Sequence, residues 1–243
     1  MGRMLFSRAQ QAKLSLEALD KPLIAQNVQR ASQGCDLALF CVPAPVLCEA
    51  LSCVCPYLPS TCIVADITSV KVLPMTWMES QWAGNVVGTH PLFGPNPDPS
   101  LPLSVAITAG TRTQPEALAT TEAFIHALGF TSFRCTPEQH DKAMAKIQNL
   151  NFITNLAYFA LLAKHDDLLP FLTPSFHRRL KAAQKMLTED AAMFSALFES
   201  NPMSQEVVRT YHRILQIAAS GDIEILCKPA LWWFEDKSGV QKP

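Results

Sequence analysis

The first half of the chain contains short, uninterrupted apolar runs separated by stretches with helical periodicity. Such runs are typical of strands buried on both faces of a parallel sheet, because an exposed face would make every second residue polar. The runs cover residues 36–42, 62–65, 86–88 and 103–108. The clearest helical patterns cover residues 3–12, 45–55 and 71–82. Together they predict a doubly wound α/β domain of the Rossmann-like kind, with helices on both faces of the sheet.

Weaker patterns occur at three other places in this half. Residues 14–17 (LSLE) predict a short strand, and residues 22–33 predict a weak helix. Thr113 and Glu116 have the spacing of a capping box, in which each side chain bonds the other's backbone N–H, at the start of a helix. We expect that helix to reach Leu128.

The second half shows no strand-like alternation. The start of a helix is predicted at Thr136, which has the position of the cap. Pro137 follows at the first helical position, and Gln139 stands at the third, where its side chain can bond the backbone N–H of the cap residue. Helical periodicity continues to about Lys164, which gives a helix about 40 Å long at ~1.5 Å per residue. Further helices are predicted at 174–187, 189–199, 202–219 and 222–235. We therefore expect an α/β domain over 1–135 and an all-α domain over 136–243 that pairs with a copy of itself as a homodimer.

The composition excludes several classes of protein. Apolar residues make up 49% of the chain and charged residues 17%, which excludes intrinsic disorder as the main state. Lys and Arg (20) nearly balance Asp and Glu (21), so no basic excess favours nucleic acid or an anionic membrane. No apolar stretch reaches the ~20 residues of a membrane span. We expect a cytoplasmic protein that binds neither membranes nor nucleic acid.

The chain has eight cysteines, and none forms a Cys-x-x-Cys pair. In a cytoplasmic protein they are expected to be reduced and mostly to serve as small apolar residues. A zinc site could be drawn from Cys48, Cys53 and Cys55, but their spacing matches no established ligand pattern. We therefore expect no metal.

Two polar residues follow neighbouring predicted strands. Ser69 comes after the strand at 62–65, and His90 comes after the strand at 86–88. Because parallel strands end at the same edge of a sheet, both can face one crevice. His90 could act there as a general base, or it could cap a backbone group in a loop. Ser69 alone most often indicates a turn, and the absence of Gly-x-Ser-x-Gly disfavours a hydrolase.

Three motifs, taken together, closely resemble the prephenate dehydrogenase family. They stand in the family's order and spacing, and the resemblance covers about residues 1–200. The motifs are Asp66-x-x-Ser69-Val70-Lys71, Gly88-x-His90-Pro91-x-Phe93-Gly94-Pro95 and His140-Asp141-x-x-Met144-x-x-Ile147-Gln148-x-Leu150.

This resemblance implies NAD-dependent oxidative decarboxylation of prephenate to 4-hydroxyphenylpyruvate, on the route to tyrosine. It implies that His90 takes up the proton of the substrate hydroxyl, and that Ser69 orients His90 and that hydroxyl. His140 and Asp141 match a pair at the start of a helix, which we interpret as mainly structural. His140 is expected near the domain junction, and a position bordering the site is the alternative for it.

The resemblance also implies a dinucleotide site, of which the chain carries the later part. Gly2 and Arg3 resemble the end of the Gly-x-Gly-x-x-Gly fingerprint. If Gly2 is the third glycine, Glu17 lies about 20 residues beyond the first, where an acidic ligand of the NAD ribose belongs. Asp20 is the competing choice. Further cofactor contacts are expected from Val42, Pro43 and Asp66.

The first strand and the first two glycines of that fingerprint lie outside the sequence. We expect either that the start of the chain was assigned too late or that this form is truncated. A cofactor-poor regulatory relative is the alternative that this feature supports.

The substrate carboxylates require cations, and the resemblance places a substrate-binding arginine on the helix after Pro174. The candidates there are Arg178, Arg179 and Lys185, although the same residues would also suit a solvated basic helix face. Gln148 of the third motif is a further substrate-binding candidate. Relatives often carry a histidine where this chain has Asn151-Phe152, and some carry an acid at Asn96. These departures leave arogenate, or dual specificity, open as the alternative to prephenate.

Overall fold

A computed structural model describes residues 1–98 and 100–235 of the chain. The chain divides into two compact units, Met1–Asp141 and Lys142–Pro243. The division falls after Asp141 rather than after residue 135, the boundary expected from the sequence. The reason is that the side chain of Asp141 accepts hydrogen bonds from the backbone of Lys71 and Val72, within the first unit.

The first unit is built on one five-stranded sheet in the order β1-β2-β3-β4-β5. Its strands are β1 (Leu37–Phe40), β2 (Ile63–Asp66), β3 (Val86–Pro91), β4 (Ser104–Ala109) and β5 (Thr131–Arg134). The first three strands are parallel, β4 runs antiparallel to β3, and β5 is parallel to β4. The described residues that join β3 to β4 contain no helix, so this pair lacks the crossover that parallel strands need.

Helices cover both faces of this sheet, which confirms the doubly wound α/β prediction. The helices that begin in this unit are α1 (Gly2–Gln11), α2 (Ala25–Ala31), α3 (Ala44–Val54), α4 (Val72–Gln81), α5 (Pro115–Ala127) and α6 (Pro137–Met144). Ile63 and Ala65 of β2 pack in one core cluster with residues of α1 and α5. Val64, which lies between them, packs in the other cluster with residues of α3 and α4. Alternate residues of one strand thus enter two cores, and the run must be apolar throughout.

Three local expectations for this unit were wrong or incomplete. Residues 14–17 keep the alternating burial of a strand, but no described strand pairs with them. Thr113 does not cap α5, because its hydroxyl donates to the carbonyl oxygen of Val86 at 2.5 Å and the helix begins after Gln114. Strand β5 was missed, since its sequence TSFR has no apolar run.

The second unit contains only helices among its described residues. The capping box predicted just before this unit is confirmed. Oε1 of Gln139 accepts the backbone N–H of Thr136 at 2.9 Å, and Oγ1 of Thr136 accepts the backbone N–H of Gln139 at 3.1 Å. The long predicted helix is interrupted by a π-helical segment, Ala145–Asn149, and ends at Leu161. The remaining helices are α7 (Leu150–Leu161), α8 (Pro174–Thr188), α9 (Ala191–Ser200), α10 (Ser204–Ala219) and α11 (Ile223–Leu231). In the described part of the chain, no helix has the length and apolar character needed to cross a bilayer.

Candidate active site

Strands β1, β2 and β3 are parallel, so their carboxyl ends lie side by side at one edge of the sheet. Val42 and Pro43 follow β1, Ser69 lies in the turn after β2, and His90 is near the end of β3. The structure therefore brings Ser69 and His90 to the same edge. Ligands of doubly wound sheets bind just outside this edge, which makes it the candidate active site.

His90 belongs to a chain of three buried side chains at this edge. Its Nδ1 lies 2.9 Å from Nε2 of His140, and the two rings meet edge to face at 70°. The Nδ1 of His140 in turn lies 2.8 Å from Oδ1 of Asp141. Strand β3 supplies the first member and helix α6 the other two, so residues 50 positions apart in sequence are joined.

Asp141 is bound at the beginning of α4 as well. Its Oδ1 accepts the backbone N–H of Lys71 at 2.7 Å, and its Oδ2 accepts that of Val72 at 2.9 Å. These are amide groups of the first helical turn, which have no partner inside a helix and favour a negative charge. The structural role expected of Asp141 is therefore present. The contact between His140 and His90 was not expected.

Burial lowers the pKa of His90 well below its ordinary value of 6.5, and the nearby His140 and Lys71 act in the same direction. A neutral imidazole can accept a proton, whereas an imidazolium cannot. His90 is therefore neutral at pH 7 and has the protonation state that a general base requires.

The Asp66 carboxylate, expected to contact cofactor, is engaged inside the protein instead. Lys71 Nζ lies 2.7 Å from both of its oxygens, and both side chains are fully buried. Thr68 donates to the same carboxylate through its backbone N–H, at 2.9 Å, and through its hydroxyl. A buried carboxylate with these partners holds the turn after β2 together, and the cofactor contact expected of Asp66 stays a prediction.

Ser69 lies half-buried in the same turn. Among the described residues, the hydrogen-bond partner of the His90 ring is His140 rather than Ser69. His140 thus holds Nδ1 of His90, and the orienting role expected of Ser69 stays a prediction. A contact between Ser69 and the substrate stays a prediction.

The N-terminal candidates for cofactor binding lie near the end of β1. A Cβ added to Gly2 would come 2.9 Å from Cβ of Cys41, so α1 and β1 approach closely only because this residue is glycine. That is the role of the third glycine in the dinucleotide fingerprint. Arg3 and Glu17 are exposed. Asp20 is exposed too, but its Oδ1 accepts the backbone N–H of Lys21 at 2.9 Å.

The deciding observation comes from comparison with known sequences. The sequence model for the nucleotide-binding domain of prephenate dehydrogenase matches residues 4–129 of this chain. The chain belongs to the prephenate dehydrogenase family.

Its similarity to individual members is distant but extends over most of the chain. It is 28% identical to the T-protein of Enterobacter agglomerans over 218 residues, covering 88% of this chain and 57% of that protein. It is 27% identical to a probable arogenate/prephenate dehydrogenase of Methanocaldococcus jannaschii over 200 residues, covering 76% of this chain and 43% of that protein. The chain therefore spans about half the length of these relatives.

A solved structure shares the fold. Prephenate dehydrogenase from A. aeolicus, in complex with hydroxyphenyl propionate and NAD+, superposes with a TM-score of 0.72 at 17% identity. The match covers 95% of this chain and 83% of that one. At this level of identity the likeness shows the fold alone.

The substrate-binding candidates of this family member lie in the second unit. Arg179 has its guanidinium carbon 3.7 Å from the centre of the Tyr158 ring, and both residues line a groove of about 460 Å³ between α7 and α8. Arg178 is exposed. Lys185 is also exposed and lies 3.4 Å from Asp190. Of the three cations, only Arg179 lines this groove.

Gln148 lies in the π-helical segment. Its Oε1 is buried and has no hydrogen-bond partner among the described residues. A buried acceptor without a donor is costly, and π-helical segments are frequent at functional sites. Both features suit a residue that accepts a hydrogen bond from a ligand.

Sequence reasoning gave no role to Lys71, and it gave His140 a mainly structural one with a position bordering the site as the alternative. Both residues stand inside the quoted motifs, and that position is the one signal that the sequence offers. Neither contact follows from residue spacing, because each depends on how separate elements pack.

Proposed function

We propose that this protein catalyses the NAD-dependent oxidative decarboxylation of prephenate to 4-hydroxyphenylpyruvate. The observation that carries the proposal is His90, a buried and neutral imidazole at the carboxyl edge of β3, in a chain of the prephenate dehydrogenase family. Because the curated relatives are about twice as long as the aligned part of this chain, the activity is assigned here as a proposal.

His90 performs the proton step of this reaction. The substrate carbon that carries the hydroxyl group becomes a carbonyl, and the O–H bond breaks as His90 accepts its proton. NAD, when bound, accepts the hydride that leaves the same carbon. Loss of carbon dioxide then makes the ring aromatic and supplies much of the driving force. The protein's own tasks are to align the reactants and to keep the base neutral.

The residues at the N-terminal end of the first unit fit a dinucleotide. The close approach of α1 to β1 at Gly2 matches the packing that such sites use, and a helix N-terminus favours a pyrophosphate. We assign Arg3 to the pyrophosphate end of the site. Glu17 rather than Asp20 is assigned to the ribose, since the Asp20 carboxylate already accepts a backbone N–H. Val42 and Pro43 are assigned to the turn beside the cofactor.

For the substrate carboxylates, we assign Arg179 as the principal cation. A guanidinium can bind a carboxylate through two parallel hydrogen bonds, and the Tyr158 ring beneath it restricts its position. Gln148 is assigned as a hydrogen-bond acceptor for the substrate. Arg178 and Lys185 remain secondary candidates, because Arg178 does not line the groove and Lys185 pairs with Asp190.

Arogenate, or both compounds, is the alternative substrate. The relative from Methanocaldococcus jannaschii is a probable arogenate/prephenate dehydrogenase, and this similarity supports arogenate as the second candidate substrate. The two compounds differ in one group, an amine in place of a keto oxygen. Turnover of each compound by the same preparation separates the two assignments.

The proposal includes a cytoplasmic homodimer that forms through the helical unit. Several large apolar side chains of this unit are more than half exposed, and contact between two copies of the unit would remove such side chains from water. They include Leu161 (73% exposed), Phe171 (77%), Trp233 (71%) and Phe234 (78%). Light scattering after gel filtration should give about twice the 26.8 kDa of one chain, and a monomer at micromolar concentration would contradict the dimer.

The activity is tested by following reduced nicotinamide absorbance at saturating NAD, with prephenate and with arogenate. His90→Asn should lower turnover by about 10²–10⁴-fold, the usual contribution of a general base, with little change in NAD affinity. The exposed His212→Asn serves as the matched control and should leave turnover unchanged. If neither compound is oxidised, the dehydrogenase assignment is wrong and the regulatory alternative gains support.

A further inference from the structure

The contacts of His90, His140 and Asp141 determine where the hydrogens lie. The three side chains are 5%, 3% and 0% exposed, and the two contacts between them measure 2.9 and 2.8 Å. In such a buried position water does not compete for the nitrogens in these two contacts. Each contact must therefore pair one hydrogen-bond donor with one acceptor.

The donor of each hydrogen bond can be deduced in turn, starting from the acceptor Asp141. Its two oxygens already accept the backbone N–H groups of Lys71 and Val72, and a carboxylate can only accept hydrogen bonds. The Nδ1 of His140 must therefore donate to Oδ1. A neutral imidazole that carries its hydrogen on Nδ1 has an unprotonated Nε2. That nitrogen accepts, so the hydrogen between the two histidines belongs to Nδ1 of His90.

We propose that Asp141 and His140 are positioning residues that hold His90 in the tautomer with hydrogen on Nδ1 and a free electron pair on Nε2. This inference rests on the proposed function for its catalytic meaning, since Nε2 is then the atom that takes the hydroxyl proton. The opposite tautomer would carry a hydrogen on Nε2 and could not act as a base.

The same contacts assist the proton transfer. When the substrate O–H bond breaks and the Nε2–H bond forms, His90 becomes an imidazolium and its Nδ1–H still donates to His140. The positive charge stays on His90, and His140, hydrogen-bonded to both residues, places the Asp141 carboxylate where it stabilises that charge. The charge of Lys71 opposes the protonation of His90, while Asp66 offsets the charge of Lys71. Asp141 is therefore the negative group that reaches His90 through a hydrogen-bonded partner.

The tautomer can be measured without substrate or cofactor. The full 243-residue chain is labelled with ¹⁵N-histidine, and long-range ¹H–¹⁵N spectra are recorded at pH 7.5. His90 is assigned by the signal lost in His90→Asn. We expect its Nδ1 to be protonated and its Nε2 to be unprotonated. A protonated Nε2, or rapid exchange between the two tautomers, would overturn the proposal.

Asp141→Asn provides the sharpest variant. Oδ1 of Asp141 accepts two N–H groups, from Lys71 and His140, whereas Oδ2 accepts one, so the asparagine oxygen should take the Oδ1 position and His90 should keep its tautomer. The variant then removes only the negative charge, and we expect turnover reduced by about 10²–10⁴-fold with KM for the substrate nearly unchanged. Unchanged turnover in the folded variant would overturn the relay.

A second pair of variants covers the case in which Asp141→Asn unfolds. His140→Gln keeps an acceptor for Nδ1 of His90 and should retain the tautomer and most of the turnover. His140→Leu has no acceptor and should give a mixture of tautomers and low turnover. The exposed His126→Gln is the matched control, and circular dichroism checks that each variant is folded. Equal spectra for His140→Gln and His140→Leu would refute the role of His140.

The two hypotheses fail in different ways. If His90 has the expected tautomer but neither prephenate nor arogenate is oxidised, the proposed function is wrong and the relay stands. If turnover is normal but Asp141→Asn leaves the rate unchanged and His140→Leu leaves the tautomer unchanged, the relay is wrong and the function stands.

Discussion

The ammonium group of Lys71 lies 2.7 Å from both carboxylate oxygens of Asp66 and 2.7 Å from the carbonyl oxygen of Thr89, with no part of either charged side chain exposed. This ion pair joins the turn after β2 to strand β3. Ser69 lies in that turn and His90 follows Thr89 on that strand. Lys71 thus fixes the two segments that carry the candidate catalytic residues relative to each other.

Replacement of Lys71 by methionine should therefore destabilise the protein strongly. It leaves the Asp66 carboxylate buried without a counter-charge, and removal of one member of a buried ion pair costs about 3–5 kcal/mol. Urea unfolding followed by circular dichroism measures the change. Lys185→Met is the matched control, since its exposed pair with Asp190 should contribute no more than about 1 kcal/mol. Equal losses in the two variants would mean that the buried pair has no special role.

Gly88 should tolerate no side chain. A Cβ at this position would come 2.7 Å from Sδ of Met75 and 2.9 Å from Cδ of Lys71, so the glycine leaves the space that the buried lysine occupies. We expect Gly88→Ala to lower the free energy of unfolding by about 1–3 kcal/mol, the usual cost of overpacking a core. Gly94→Ala is the control, because a Cβ there meets no atom within 4 Å. Equal unfolding midpoints for the two variants would contradict this account.

The buried His90 should make the protein less stable in mild acid. Burial lowers its pKa well below 6.5, so below pH 6.5 the unfolded chain binds a proton at this site that the folded chain does not. Stability then falls as the pH drops from 6.5 toward the folded pKa, by up to about 1.4 kcal/mol for each pH unit. Thermal unfolding of the protein and of His90→Asn between pH 7.5 and 5 should show a weaker pH dependence in the variant. Parallel curves would show that His90 does not contribute.

The sequence predicted those elements whose apolar pattern leaves few alternatives. Strands β1 to β4 were found because residues such as Val64 must be apolar when both faces of the sheet are covered. Strand β5 was missed because Arg134, at its end, pairs with Glu122 on the surface and the strand has no apolar run. Burial at a sheet edge is set by tertiary packing, which a local pattern does not contain.

For the site, parallel strand order was sufficient to bring Ser69 and His90 to one edge. The order of elements along the chain does not say which side chain of α6 reaches β3, so the contact between His140 and His90 could not be foreseen. The ion pair of Lys71 was equally hidden, since a lysine in a sequence is expected to be exposed.

Glu17 should matter for NAD affinity more than Asp20. A carboxylate that binds a ribose hydroxyl contributes about 1.5–3 kcal/mol, so Glu17→Ala should raise the Kd for NAD by roughly tenfold or more. Isothermal titration calorimetry measures this value. Asp20→Ala is the control, because the Asp20 carboxylate accepts the N–H of Lys21. If Asp20→Ala weakens binding and Glu17→Ala does not, the ribose contact belongs to Asp20.

Arg179 should determine substrate affinity. Its guanidinium stacks on Tyr158 and lines the groove of the helical unit, whereas its neighbour Arg178 does not line that groove. Loss of a charge-assisted hydrogen bond costs about 1.5–3 kcal/mol, so Arg179→Gln should raise KM for the substrate by roughly 10- to 100-fold. Turnover at saturating substrate should change less, because the arginine binds carboxylates that take no part in the proton step. Arg178→Gln should leave both constants nearly unchanged. If Arg178→Gln raises KM and Arg179→Gln does not, the carboxylate contact belongs to the neighbouring helix position, and Arg179 serves only to pack against Tyr158.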